Sequence, residues 1–347
     1  MRVRGRKWLS WLQLSTRRAR RRHTCRSQRV VNMTLDDTDS NIVGVLRTNP
    51  RITNKDIAER LDIAESTVAQ RIRGMAERNV MRVVAQKHVF SDGYAHVLFL
   101  FVNTAGRTVQ RVGADISRID GVFGVSQGIG NPDLFVAARA MSMDDAQRIS
   151  AQTARTEGVA TVETIPCFRI HKMVSTLGDL ANPSRPPMVN PESRNDRIFQ
   201  AFYEDGRQSN REVSRQLDIS EGAIRQRLKA MQQSGEMQFQ VVCNPQALGL
   251  HTISIMRIAT AAKETGEVLE RVVALESARF VAEVAGTANV FALLITPDNQ
   301  SLGDITDNEL MSMPGVREVD AQILVANIMH RYYLSHFEAK ERIPARK

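Results

Sequence analysis

The chain has 347 residues, 42% of them hydrophobic and 24% charged, with a formal net charge of +9. This supplies apolar material for several cores, and no apolar run reaches the roughly 18 residues of a membrane span. The three cysteines (Cys25, Cys167, Cys243) form no CxxC pair and the seven histidines show no metal-ligand spacing. The expectation is therefore reduced thiols, no metal, no cofactor, no membrane partner and a cytoplasmic protein.

The charge is unevenly placed. Residues 1–34 hold eleven basic residues, from Arg2 to Arg29, and no acid, which leaves −2 on the rest of the chain. This tail reads as a basic arm for nucleic acid or as an Arg-rich, acid-free transit segment. The third reading is that residues 1–32 are not part of the native protein. Met33 stands directly before Thr-Leu-Asp-Asp-Thr-Asp-Ser-Asn-Ile, and this third reading is the expectation.

Beyond the tail, the chain is written twice. Ile52–Met75 returns as Gln208–Met231 at an offset of 156, which Gly93/Gly249, Val125/Val281 and Gly130/Gly286 keep. After one inserted residue, Gly158-Val159 meets Gly315-Val316 at 157. The duplicated unit is too long for a solenoid repeat and large enough for one or two small domains.

Each copy opens with three short helical patterns. The first runs from about Asp37 to Arg47, with Ile42, Val45 and Leu46 on one face; its counterpart carries Ile198, Phe199 and Phe202. Thr53-Asn54-Lys55-Asp56 and Ser209-Asn210-Arg211-Glu212 then read as capping boxes that start the second helix. It buries Ile57 and Leu61, or Val213 and Leu217, and a Leu-Asp-Ile turn comes next in both copies. In the third helix Val68, Ile72 and Met75, or Ile224, Leu228 and Met231, form the buried stripe. That turns Ser66, Gln70 and Arg73 outward, flanked by Thr67 and Arg71. In copy two the outward set is Gly222, Gln226 and Lys229, flanked by Arg225 and Arg227.

Helix, tight turn and a third helix with a Ser/Gln/Arg/Lys face make a helix-turn-helix. Gln and Arg fit adenine and guanine edges in the major groove of double-stranded DNA. Thr53, Asn54 and Lys55, and Ser209, Asn210 and Arg211, sit at helix starts where they can hold phosphates. A short strand-like run comes after the third helix (Met81–Ala85; Met237–Val241), suited to a wing.

The second part of each copy changes period. Ala95–Asn103 is a strand, Val109, Val112, Ile116 and Ile119 a helical stripe, and Val122–Ile129 and Leu134–Ala140 two strands. A polar helix covers about Asp144–Arg155, and a last strand runs from Val159 to about Ile170; copy two repeats this from Thr252 to about Asn327. The β-α-β-β-α-β order is ferredoxin-like, with one sheet face left to pair with something else, often a second copy. Gly128-Ile129-Gly130-Asn131 joins two strands and opens no helix, so it is no phosphate loop. No set of catalytic side chains recurs between the copies, and the expectation is not an enzyme.

The fold class expected is α+β, two copies of a winged helix-turn-helix each followed by a ferredoxin-like domain. The domains fall at 35–86, 87–180, 191–242 and 243–337, with a Pro-rich linker at 181–190 and a C-terminal tail at 338–347.

Leu35-Asp36-x-x-Asp39-x-x-Ile42, Arg51-Ile52-Thr53-Asn54, the Leu-Asp-Ile turn and Arg71-Ile72-Arg73, in this order and spacing, resemble the Lrp/AsnC family of feast-or-famine regulators. The resemblance covers roughly residues 35–173 and again 192–330. It implies a winged helix-turn-helix joined to an amino-acid-sensing domain (RAM, similar in topology to ACT domains), and homo-oligomers formed through that domain. It also places the effector at the loop between the second and third strands, which typically reads Gly-Asp-Tyr-Asp. Here Gly128, Gly130 and Asp133 stand there in copy one, and Gly286 and Asn289 in copy two, where the acid is missing. Asp133 can take a ligand ammonium by a charge-assisted bond or be a turn residue. The function implied is a sequence-specific DNA-binding regulator responsive to an amino acid. Alternatives are an enzyme similar to siroheme decarboxylases, which resemble the same family, and an amino-acid sensor that does not bind DNA. The enzymes use a His/Tyr-bearing strand where this chain has Gly124–Gly128 and Glu283–Gly286.

Overall fold

A computed structural model describes residues 35–175, 178–179 and 195–330. The basic tail, the Pro-rich linker and the C-terminal tail lie outside the described residues.

Copy one begins with α1 (Asp37–Thr48), α2 (Asn54–Leu61) and α3 (Glu65–Glu77), then β1 (Met81–Lys87). Each start has a local cause. Asp36 caps α1 by accepting from Asp39 N at 2.8 Å, and Thr53 caps α2 by accepting from Asp56 N at 3.1 Å. Asp62, at φ 52°, ends α2 in the left-handed region, and Asp218 does the same in copy two. The buried stripe of α1 is Asp39, Ile42, Val43 and Leu46, and Val45 packs half-buried against the same core.

The ferredoxin-like part of copy one is β2 (His96–Thr104), α4 (Val109–Ile116), β3 (Val122–Gly128), β4 (Leu134–Ala140), α5 (Met143–Ala154) and β5 (Val159–Ser175). A two-residue strand β6 (Gly178–Asp179) comes next. Copy two comprises α6 (Asp196–Glu204), α7 (Asn210–Leu217), α8 (Glu221–Ser234), β7 (Met237–Cys243), β8 (Thr252–Thr260), α9 (Thr265–Ala274), β9 (Ala278–Val284), β10 (Val290–Thr296), α10 (Asn299–Asp304) and β11 (Val316–His330). The last strands run longer than their sequence pattern because both wrap into the neighbouring copy.

The reciprocal capping box forms only in copy two. There Ser209 Oγ accepts from Glu212 N at 3.1 Å, and Glu212 accepts from Ser209 N at 2.7 Å. In copy one Asp56 replaces the glutamate, and only the forward bond is present. Aspartate is one methylene shorter than the glutamate of the motif.

The expected wings are not hairpins within each copy. β1 pairs antiparallel with β7, in register from Met81↔Cys243 to Lys87↔Met237. Val241 and Cys243 of copy two complete the core of head one with Ile42, Leu46, Val68 and Met75. Ala85 of copy one enters the core of head two with Ile198, Phe202, Ile224 and Met237. Each three-helix head thus closes its core with a strand of the other copy. Gly206 allows the close approach: its N–H donates to Val83 O at 2.8 Å, and a Cβ there would lie 2.9 Å from the same oxygen.

The eight long strands of the ferredoxin-like parts close into a ring, β2-β4-β3-β11-β8-β10-β9-β5 and back to β2, antiparallel throughout. The seams between copies are β3–β11 and β5–β9, and each carries two register shifts. Bulges let the long strands bend around a barrel. β2 shows why its sequence is apolar without alternation. Val97, Phe99 and Phe101 face the barrel interior, whereas Leu98, Leu100 and Val102 pack under α4 and α5. Inside, the equivalent residues Phe135 and Phe291 stack with centroids 5.4 Å apart, and Phe99 stacks on Phe291 at 4.2 Å. The sheet face expected to seek a partner is filled by the other half of the same chain.

Candidate nucleic-acid interface

The two third helices present the expected faces. Ser66, Gln70 and Arg73 are exposed on α3, and Thr67 is half-buried. Gly222, Arg225, Gln226, Arg227 and Lys229 are exposed on α8. Arg225 pairs with Glu221 one turn earlier at 3.0 Å. Lys55 and Arg211 are exposed in the first turns of α2 and α7, with Lys55 3.8 Å from Glu59.

Arg71 has a different place. Its guanidinium turns back to Asp36 and to Asp39 at 3.5 Å, and Arg78 meets Asp39 at 3.1 Å. These pairs tie α3 to the start of α1. Asp36 is held below the usual carboxylate range, first by the Asp39 backbone N–H and then by Arg71. In copy two the position of Asp39 is Asn195, so that acid has no counterpart behind Arg227.

Asn54 and Asn210 also face inward, half-buried between the heads. Arg207 donates to Pro50 O at 3.2 Å, Ile52 O at 3.0 Å and Asn54 Oδ1 at 2.8 Å. Its repeat equivalent Arg51 donates to Gln208 O at 2.8 Å and Asn210 Oδ1 at 3.3 Å. Arg51 also lies over the rings of Phe202 and Phe239, at 4.7 and 4.6 Å. Burial lowers the pKa of both guanidiniums, and for Arg51 the neighbouring Arg207 adds to the effect. Each head thus grips the backbone just ahead of the other head's second helix. No sequence motif announces this, although an Arg at the same place in both copies is its visible trace. Thr53 and Ser209 are exposed, with their hydroxyls engaged in capping.

The residues expected at an effector site belong to two equivalent turns. Asp133 Oδ2 accepts from Thr104 N at 2.7 Å and Thr104 Oγ1 at 2.9 Å. Asn289 Oδ1 accepts from Thr260 N at 3.0 Å and Thr260 Oγ1 at 3.2 Å. Acid and amide do the same work, which pins the turn to the end of the first strand. Gly130 and Gly286 have φ of +100° and +117°, which a side chain would strain. Gly128 N closes the turn on Asp133 O at 2.9 Å. Both turns dock on the other copy: Ile129 N donates to Ile323 O and Ala285 N to Pro166 O, each at 3.1 Å.

A group that sequence reasoning missed surrounds a cavity at the joint of head two and the first ferredoxin-like unit. It includes Gln86, Lys87, Tyr94, Phe123, Arg139 and Phe199. These residues come from five separate elements and loops, and no spacing links them. Among the described residues no cluster of His, Cys, Asp and Glu is arranged to hold a metal. No helix among them is long and apolar enough to cross a membrane. Burial pushes the thiols of Cys167 and Cys243 up to about 12.

Comparison with known proteins gives matches in the same places. Residues 35–76 match the AsnC-type helix-turn-helix domain, residues 193–235 a winged helix-turn-helix DNA-binding domain, and residues 254–334 the Lrp/AsnC ligand binding domain. The HTH-type transcriptional regulator LrpA of Pyrococcus horikoshii is 27% identical over 138 residues, 40% of this chain and 98% of that protein. FL11 of Pyrococcus abyssi is 28% identical over 130 residues, 37% of this chain and 85% of that protein. Each relative therefore corresponds in length to one copy. Among solved structures, the siroheme decarboxylase NirDL in co-complex with an iron-uroporphyrin III analogue superposes over 87% of this chain and 96% of its own. Its TM-score is 0.61 at 12% identity, a likeness of fold.

Proposed function

We propose that this chain is a tandem-duplicated member of the Lrp/AsnC family of DNA-binding transcriptional regulators whose two heads read one asymmetric operator as a single rigid unit. The observation that carries this is the pair of exposed third-helix faces, held in one relation by the β1–β7 ribbon and the reciprocal Arg51 and Arg207 contacts.

The heads contribute unequally. Head one offers Ser66, Gln70 and Arg73, suited to base edges, while Arg71 serves the scaffold. Head two offers Arg225, Gln226, Arg227 and Lys229 and supplies more of the phosphate attraction. Because the body carries −2, binding depends on these local patches. Lys55 and Arg211 hold backbone phosphates at helix starts. The protein acts in the cytoplasm and answers to a small metabolite. Asp133 and Asn289 serve the turns, so the response is assigned elsewhere in the body. Association of whole chains uses the apolar residues exposed near the seams, Ile129, Phe168 and Val325.

The test is selection of binding sites from random duplexes by the full chain, followed by mobility shifts. Two different half-sites in fixed spacing are expected. Gln70→Ala should relax the base preference of one half-site, and Gln226→Ala that of the other. Equal weakening on all sequences would contradict base reading by these residues. The alternative of a tetrapyrrole enzyme has the whole-chain fold likeness in its favour. A spectral change on adding an iron-uroporphyrin, with no DNA binding, would decide for it.

A further inference from the structure

The cavity at the joint of head two and the first ferredoxin-like unit has a volume of about 430 Å³. Small-molecule sites span about 300–1,000 Å³. Its walls come from the end of β1, the loop before β2, the start of β3, the end of β4 and one face of α6.

The polar groups on these walls are not equivalent. Lys87 donates to Asp92 and to Asp196, both at 2.8 Å, so its charge is matched. Arg139 lies 4.0 Å over the ring of Tyr94 and gives one long bond, at 3.4 Å, to Val89 O. Among the described residues no carboxylate pairs with it, which leaves a guanidinium fork on the cavity wall. Gln86 is 3% exposed, and among the described residues no donor meets its side-chain oxygen. A buried acceptor without a donor is costly and calls for an explanation. Phe123 and Phe199 add flat apolar walls.

The set occurs once per chain. At the repeat positions of Gln86, Lys87, Tyr94, Phe123, Arg139 and Phe199 stand Val242, Cys243, Leu250, Arg279, Ile295 and Val43. Duplication therefore left one half with an amphoteric, aromatic-walled joint and the other half without it.

We propose that this cavity binds a small aromatic carboxylic acid bearing a hydroxyl or amino group. The carboxylate meets Arg139, the ring lies against Phe123 and Phe199, and the substituent donates to the Gln86 oxygen. The site is distinct from the turns at Asp133 and Asn289. Because α6 of head two forms one wall, occupancy ties that head to the barrel. Only this last consequence rests on the regulator reading.

Calorimetric titration of the full chain with 4-hydroxybenzoate, anthranilate and L-tyrosine tests the site, with benzoate as the probe that lacks a donor. At least one of the three should bind with a Kd below about 1 mM, and benzoate about tenfold more weakly. Arg139→Met should weaken the best probe at least about tenfold, and Gln86→Leu should bring it within about threefold of benzoate. Circular dichroism establishes that both variants are folded. Failure of all three probes to bind the folded chain overturns the proposal, as does binding indifferent to Arg139→Met. Mobility shifts without probe separate the two readings. Arg139→Met should bind DNA as the unsubstituted chain does. Probe binding by a chain that binds no DNA would uphold the site and overturn the regulator.

Discussion

Arg207→Ala should unfasten the heads without unfolding them. The side chain makes three bonds across the head–head contact, at 2.8, 3.0 and 3.2 Å. Hydrogen bonds to a charged group contribute about 1.5–3 kcal/mol each when well formed. One of the three is long and the site is half-buried, so the loss should come to about 2–4 kcal/mol. Arg51→Ala removes two bonds and two ring contacts, each ring contact adding about 0.5–2 kcal/mol. The two guanidiniums also repel one another, as the effect of Arg207 on Arg51 indicates. Each single variant already relieves that repulsion, so the double variant should lose more than the sum of the singles, by about 0.5–3 kcal/mol. Urea unfolding of the full chain measures the energies. Mobility shifts on duplexes with half-sites moved apart in single base-pair steps measure the function. The unsubstituted chain should prefer one spacing sharply, and Arg207→Ala should tolerate several. A variant that keeps the sharp preference and loses under about 0.5 kcal/mol would show that the β1–β7 ribbon alone fixes the heads.

Other outcomes are expected from the same structure. Lys229→Ala and Arg227→Ala should each lower the salt slope of DNA binding by about one, read from affinities at several ionic strengths. Asp133→Asn should be nearly neutral in thermal unfolding, because Asn289 does the same work in copy two; Asp133→Ala should cost about 1–3 kcal/mol. Phe291→Ala opens the ring stack at the barrel centre and should cost about 3–5 kcal/mol in urea unfolding. Burial raises the carboxyl of Glu236 above its ordinary value, with Lys87 opposing the effect. Its folded pKa thus exceeds its unfolded one, so the native state carries no penalty below the unfolded value and loses stability as pH rises through the folded value. Glu236→Gln should match the parent near pH 4 and be the more stable of the two near pH 7 in unfolding curves.

Much of this molecule is legible from local pattern. The capping residues Thr53 and Ser209, the left-handed Asp62 and Asp218, and the period change after each head are interactions between near neighbours. Side-chain period and turn chemistry encode such contacts directly. The duplication announced that two heads and two sheets must be placed. Where expectation and structure differ, the deciding partner lies far away in the chain. Arg71 has the helical phase of a groove-facing residue, but Asp36 and Asp39 lie 35 and 32 positions back and claim it. Asp133 occupies a loop where a ligand acid is expected, but Thr104 is 29 positions away.

The sequence by itself determined the elements, their order and the outward faces of the two third helices. Only the tertiary structure decided which copy each strand serves. β1 and β7 each come directly after the third helix of their own copy, and that local order does not say which copy's strand they pair with. Pairing between copies prevailed because each three-helix head leaves one side of its core open, and the strand of the other copy covers it. The same holds for the barrel. An open four-strand sheet has two edges and a bare apolar face, and a tethered copy of itself satisfies both at once. Once the halves close on each other, Arg51 and Arg207 meet the opposite backbone, and a cavity with Arg139 and Gln86 on its walls arises at one joint alone. Those groups are brought together by closure, and no single stretch of the chain contains them.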